Sequence, residues 1–332
     1  MNKNNSGSIG TTASSNVDLK ILVSVIIPTY NRAYLLQETL KSILNQTYTH
    51  LQVIVIDDGS TDSTFAILNK FKDSRLSVLK NHTNLGESAS INLGWNYCLN
   101  KLVAIVSSDD PQENSWLEKM INFRNENPGF IIYYPDLKII DQNGLVKTQL
   151  ILRDWSRRRL YVEAAAIASA GSLIDKSKLP DEFIPRDSKI KYIPDVIQMM
   201  NLSLFGDGIR AKNIFGVWRE HDFNTSNTDK SFAHASEYQK YFIEWLQKNN
   251  GNSEVAKWSS YAKKNLITRS WKIIRKNNGF LHTLMKVICL PNYIRIMTNP
   301  KIIYLFIFQA LIALKNILKN NTHKILKKNI NT

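Results

Sequence analysis

Cysteine is nearly absent: 332 residues contain two, Cys98 and Cys289, far apart and without the short spacing of a metal site. They read as packing residues rather than a disulfide, which suits a reducing compartment. The opening stretch MNKNNSGSIGTTASSN has no apolar run of the secretory kind. Residues 1–20 are therefore expected to be a disordered N-terminal segment of a protein that stays in the cytoplasm. No glycine-rich turn follows the first apolar run, where the chain has PTYNR. That argues against an NAD-dependent Rossmann enzyme. The glycine-rich, lysine-containing phosphate loop of a nucleotidyltransferase is missing too. No zinc-finger, helix-turn-helix or RNA-recognition signature occurs, and neither an internal repeat nor a low-complexity tract is found.

What is present is a globular composition, 43% apolar and 10% aromatic, enough for one large domain with an appendage or two modest ones. The net charge is +15 and unevenly placed. No acidic residue follows Glu254, while fifteen Lys and Arg do, leaving 28 basic against 28 acidic residues before that point. The tail carries the whole excess.

The run ILVSVIIPTY (21–30) is a continuous β-branched stretch, the mark of a strand buried on both faces. After Asn31 and Arg32, the apolar residues Leu35, Leu36, Leu40, Ile43 and Leu44 recur at helical spacing. LQVIVI (51–56) ends in the acidic turn DDGSTDST, with a helix beginning in or just after it. RLSVLKN reads as a third strand, NLGESASINLGWNYCLN as a loop and helix, and KLVAIVSSDDP as a fourth strand entering a turn. This alternation predicts βαβ units in a doubly wound sheet, whose ligands sit beyond the carboxyl ends of the strands. Thr29 to Arg32, Asp57 with Asp58, and Asp109 with Asp110 all fall at such ends. From 123 to 216 the pattern is less regular, with short strands at FIIYYPDLKII and GLVKTQLIL and two helices. Beyond 230 it is helical and increasingly basic.

Adjacent carboxylates repel, and each raises the proton affinity of the other. A divalent cation relieves that repulsion: Mg²⁺ or Mn²⁺ commonly uses one or two carboxylates plus phosphate oxygens. The competing reading of Asp109–Asp110 is a turn before Pro111 that caps a following helix. DDGSTDST has the same alternative, being rich in turn and capping residues; otherwise Asp58 is free to accept from a base N–H or a ribose hydroxyl.

VSVIIPTYNRAYLLQETLKSILNQTYTHLQVIVIDDGSTDST and NLGESASINLGWNYCLNKLVAIVSSDDP resemble the two opening blocks of the family 2 glycosyltransferases, over roughly residues 22 to 225. The resemblance implies a GT-A fold, Rossmann-like with a mostly parallel sheet flanked by helices, over 21–228. It implies a nucleotide-sugar pocket lined by Pro28, Thr29 and Tyr30, with Tyr30 against the base and Asn31 and Arg32 nearby. Asp58 would bind the base with Asp57 supporting it, and Gly86 and Asn92 would fall beside the nucleotide. Asp109 would lie nearer the ribose, and Asp110, with Asp109, would hold the metal. Many members carry a further aspartate where this chain has Ser107. Asp195, in KYIPDVIQMMNLSLFG, resembles the family's catalytic base, which takes the acceptor hydroxyl's proton during an inverting displacement. Its alternative is a helix cap after Pro194, with Asp187 and Asp181 as fallback bases. VWREHDFNTSN resembles the stretch that closes many family domains, with His221 near the metal or diphosphate and Arg219 neutralising phosphate.

Residues 229–332 read as a helical basic extension. Its apolar core, 302–314, is thirteen residues, short of the roughly twenty that span a bilayer. A helix lying on an anionic membrane surface fits better; the alternative is packing on the catalytic domain. The expected partners are a nucleotide-sugar donor, a glycan or lipid-linked acceptor of O-antigen, lipopolysaccharide or capsule assembly, and the inner face of a bacterial inner membrane. Nucleic acid is not expected, because the positive charge is interleaved with Ile, Leu and Phe. The rival reading is a basic nucleic-acid- or membrane-binding protein with a non-catalytic nucleotide-sugar domain.

Overall fold

A computed structural model describes residues 22–163, 170–221 and 231–275. The chain runs β1 (Val23–Thr29), α1 (Ala33–Leu44), β2 (Leu51–Asp57), α2 (Thr64–Leu68), β3 (Leu76–Lys80), α3 (Glu87–Asn96), β4 (Leu102–Ile105) and α4 (Trp116–Glu126). It continues with β5 (Ile132–Ile140), β6 (Val146–Leu150), α5 (Arg157–Glu163), β7 (Leu173–Asp175), α6 (Pro194–Leu202), β8 (Gly208–Arg219), α7 (Ser231–Lys248) and α8 (Ser253–Arg275).

Every residue of β1 is buried, because helices cover both faces of the sheet. Strand alternation divides the core into two layers. Val23, Val25, Ile27, Val53 and Val55 pack with Leu36, Leu40 and Ile43 of α1 and Trp116 and Met120 of α4. Ile26, Ile54 and Ile56 face the other layer, with Ile91 and Trp95 of α3 and Met200 of α6. Each fully buried side chain of this kind contributes about 1.5–3 kcal/mol. On that second side Gly94 lets α3 lie close: a Cβ there would stand 2.7 Å from Ile26 and Ile56 side-chain carbons.

The sheet has eight strands in the order β3-β2-β1-β4-β7-β5-β6, with β8 paired to β5. β1, β2, β3 and β4 are mutually parallel, as is the β5–β8 pair. β7 runs antiparallel to β4 and β5, and β6 antiparallel to β5. The winding reverses between β1 and β4, and a crevice opens beyond their carboxyl ends.

β7 and β8 had no counterpart in the sequence reading. β7 has three residues, too few for periodicity to show. β8 is longer but interrupted: its register jumps from Pro135↔Ala211 to Asp136↔Phe215, and Asn213 in the excursion has φ 63°. The bulge breaks the alternation that would mark a strand.

The unit does not end at 228. Tyr238, Phe242, Trp245 and Leu246 of α7 and Val255, Ala262 and Leu266 of α8 share the core that holds Ile26 and Ile54. These two helices are part of the packed body, whereas the resemblance and the turn to helical, basic sequence had set the boundary at 228. The apolar tail segment 302–314 and most of the basic excess lie outside the described residues, as do residues 1–20. Among the described residues no helix is long and apolar enough to cross a membrane.

Candidate active site

The turn after β2 is built to hold its own shape. Asp57 is fully buried, and its Oδ1 accepts the Ser60 N–H at 2.9 Å. Gly59 has φ +74°, and a Cβ there would stand 2.7 Å from the Thr83 carbonyl carbon. Asn31, itself at φ 50°, accepts the Thr61 N–H on Oδ1 at 2.8 Å and donates its own N–H to Ser60 Oγ at 2.9 Å. The Asp58 carboxylate accepts three donors: Asn81 Nδ2 at 2.8 Å and Leu85 N at 2.9 Å on Oδ1, and Gly86 N at 2.8 Å on Oδ2. Asp58 thus ties the end of β2 to the loop before α3.

Beyond β4, Asp109 and Asp110 are both buried. Asp109 Oδ2 pairs with the Arg32 guanidinium and lies 2.8 Å from His221 Nε2, which is 3.0 Å from Arg32 Nη1. Asp110 Oδ1 accepts the Arg219 N–H at 2.7 Å. Burial, and then the neighbouring charge of Asp109, push the Asp110 carboxyl well above its ordinary range, while Arg219 and the Ser107 hydroxyl pull the other way.

The Arg219 side chain, 1% exposed, is a strut rather than a phosphate ligand. Its Nε donates to the Asp109 carbonyl at 2.9 Å, Nη1 to the Gln142 carbonyl at 2.8 Å and Nη2 to Glu38 Oε2 at 2.6 Å. It does not line the cavity, which corrects the role read from the sequence.

A cavity of about 640 Å³ occupies the crevice. One wall is the strand ends: Pro28 and Thr29 at the end of β1 with Tyr30 and Arg32 after it, Asp58 after β2, and Ser107 to Asp110 after β4. Tyr30 is 41% exposed, a ring free to stack; Thr29 is 3% exposed and its Oγ1 has no hydrogen-bond partner among the described residues. The other wall is Arg186, Lys191, Tyr192, Pro194 and Asp195 before and at the start of α6, with His234 from α7. Asp195 is not the helix cap: Ile193 holds that position and Pro194 begins the helix. Among the described residues its carboxylate has neither a hydrogen bond nor an ion pair.

Among the residues expected at the nucleotide sugar, Asn31, Asp57, Gly86 and Asn92 do not line the cavity. The first three shape the β2 turn and the loop it holds. Asn92 faces another segment, donating from Nδ2 to the Arg186 carbonyl at 2.6 Å and accepting the Arg186 N–H at 3.1 Å. His221 stands outside the lining too, against Asp109. Asp187 and Asp181, the fallback bases, are not part of the lining. Conversely, Arg186, Lys191, Trp218 and His234 escaped the sequence reading. Arg186 lies in a loop without periodicity, and His234 follows the presumed domain end.

A divalent cation, implied by the resemblance, suits what is here. Two adjacent buried carboxylates line one cavity, and burial and then the like charge of Asp109 raise the proton affinity of Asp110, a repulsion that a cation would relieve. No group of three or more His, Cys, Asp or Glu forms a metal cage among the described residues. A hard divalent ion commonly takes one or two carboxylates and completes its shell with water and phosphate.

The fold and sequence have known counterparts. An S. aureus protein, TarS 1-349, solved in complex with UDP-GlcNAc, superposes with a TM-score of 0.61 at 20% identity, over 81% of this chain and 79% of that one. A glucosyltransferase of Escherichia coli, WfaP, is 35% identical over 192 residues, 58% of this chain and 73% of its own. An uncharacterized glycosyltransferase of Haemophilus influenzae is 36% identical over 145 residues, 42% of this chain and 45% of its own, so the match spans under half of that relative. The family model described as Glycosyl transferase family 2 matches residues 24–171. With the GT-A-like sheet and a crevice at its switch point, the chain belongs to glycosyl transferase family 2.

Proposed function

We propose that the protein transfers a sugar from a nucleoside diphosphate sugar to a hydroxyl of a lipid-linked glycan, by one inverting displacement with Asp195 as general base. The observation that carries this reading is an unpaired carboxylate, Asp195, in the same cavity as Asp58, Asp109 and Asp110. A base must meet the proton it removes, and a carboxylate without internal partners keeps its lone pairs for that task. Tyr30 offers a face for the nucleotide base, and the unpartnered Thr29 hydroxyl a hydrogen bond beside it. Asp58 holds the loop at Leu85 and Gly86 against the same end of the cavity. Arg32 places a cation next to Asp109 and restrains that carboxylate. Asp110 and Asp109 would hold a divalent ion, which would supply countercharge to the diphosphate.

Support for the acceptor class comes from two E. coli relatives, WfaP and WfgD, whose names specify α-D-GlcNAc-diphosphoundecaprenol and UDP-Glc. A UDP-GlcNAc complex of the structural neighbour TarS favours a uridine nucleotide as a first donor to try. A lipid carrier places the work at the inner face of the bacterial inner membrane, within O-antigen, lipopolysaccharide or capsule assembly. The basic tail would serve as the contact with anionic lipid.

A screen of nucleotide sugars for metal-dependent transfer to a lipid-linked acceptor tests the reading. Asp195→Asn is expected to lower kcat by about 10²–10⁴-fold while donor affinity changes less than about threefold. Full transfer by that variant would remove Asp195 from the base role.

A further inference from the structure

The wall that carries Asp195 is also the cationic wall. Arg186 is only 4% exposed, yet it lines the cavity. It is a built feature: Asn92 clamps its backbone from both sides. Its Nε donates to Gln198 Oε1 at 3.1 Å, on the face of α6 one turn after Asp195. Its Nη1 lies 3.3 Å from Glu87, a carboxylate 55% exposed, and Nη2 has no hydrogen bond or ion pair among the described residues. A buried guanidinium is costly unless paired, and an exposed carboxylate offsets little of that cost. The Lys191 ammonium, in the same lining, has no partner among the described residues either. The Tyr192 ring stacks on His234, centroids 6.1 Å apart and planes 25° apart. Glu237 of α7 fastens this segment, accepting the N–H groups of Lys191 at 2.9 Å, of Tyr192, and of Ile193 at 3.2 Å.

These groups do not belong to the nucleotide wall. They come from the α6 approach and from α7, outside the residues 24–171 that match the family model. If Asp195 receives the acceptor hydroxyl, the groups flanking it meet whatever that hydroxyl is attached to. We infer that Arg186, Lys191 and His234 form a subsite for a phosphate or diphosphate carried by the acceptor, so that the protein selects phosphate-linked over neutral acceptors. This rests on the proposed function for the side of the cavity the acceptor takes. Arg186 supplies planar, paired N–H groups, Lys191 a mobile point charge, and His234 a ring fixed by its stack.

The test is a binding measurement that needs no turnover. Isothermal titration of the full chain, with UDP and Mg²⁺ saturating the donor side, compares three probes. They are a neutral alkyl N-acetylglucosaminide, N-acetylglucosamine diphosphate bearing a short lipid, and the same diphosphate without lipid. Both diphosphates are expected to bind at least ten times more tightly than the neutral glycoside. A Lys191→Ala, His234→Ala variant is expected to lose at least tenfold of that preference. Lys191 is exposed, so Lys191→Ala alone is the arm least open to misfolding, and a several-fold loss is expected from it. Equal affinity for all three probes overturns the inference. So does a preference confined to the lipid form, one that survives the double variant, or a variant that weakens UDP instead of the acceptor. Absence of transfer with the diphosphate preference intact would refute the proposed reaction and leave the subsite standing.

Discussion

Arg219→Ala separates a strut from a phosphate ligand. The side chain gives up two hydrogen bonds to main-chain carbonyls, that of buried Asp109 at 2.9 Å and that of Gln142 at 2.8 Å. Hydrogen bonds of a charged donor contribute about 1.5–3 kcal/mol each. The pair with Glu38, which is 48% exposed, adds about 0–1 kcal/mol. The total is about 3–7 kcal/mol, a large share of the roughly 5–15 kcal/mol that keeps a protein folded. At about 2 °C per kcal/mol for a chain of this size, the melting temperature should fall by about 6–14 °C. Thermal unfolding followed by circular dichroism measures this, with Arg219→Lys alongside. The lysine keeps the charge but cannot reach three diverging acceptors, so it too should melt early. The Arg219 backbone N–H still holds Asp110 in both variants, so UDP affinity measured below the transition should stay within about threefold. Melting within about 2 °C of wild type, combined with a tenfold loss of UDP affinity, would refute this reasoning and restore the phosphate role.

Asp110→Asn should separate stability from activity. The raised carboxyl holds a proton in the folded state that the unfolded chain releases, so metal-free stability falls as pH rises from the unfolded carboxyl range through the raised folded pKa. The amide cannot ionise and still accepts the Arg219 N–H. In EDTA above that range the variant is expected to melt higher than wild type, while sugar transfer is abolished; a wild type that melts higher there would contradict the assignment. Gly59→Ala should cost about 1–3 kcal/mol for the left-handed backbone and about 1–3 kcal/mol for the clash with Thr83. An unchanged urea midpoint would show that the turn relaxes without penalty.

Local order fixed the strand ends that matter. β1, β2 and β4 are short continuous apolar runs, each followed by polar residues, and such runs are recognisable without tertiary information. Their C-terminal residues Thr29, Tyr30, Asp58, Asp109 and Asp110 were legible as site candidates for that reason, and they share one cavity. Asp195 came through the resemblance, as an acidic residue entering a helix, although Pro194 invited a capping role that the structure gives to Ile193.

Direction and partnership were not written locally. Asn92 turned to Arg186, and Arg219 turned inward to the Asp109 and Gln142 carbonyls; both choices depend on segments 77 or more residues away. β8 was hidden because a bulge cancels its period, and only pairing with β5 makes it a strand. The boundary at 228 followed the resemblance of VWREHDFNTSN to a domain-closing stretch, whereas Tyr238 and Phe242 follow the apolar surface that the sheet leaves uncovered. Sequence alone determined which residues could carry the chemistry, because side-chain type and strand-end position are local properties. Tertiary structure alone decided which of them face the cavity and which brace it, because burial and hydrogen-bond pairing arise only when distant segments meet.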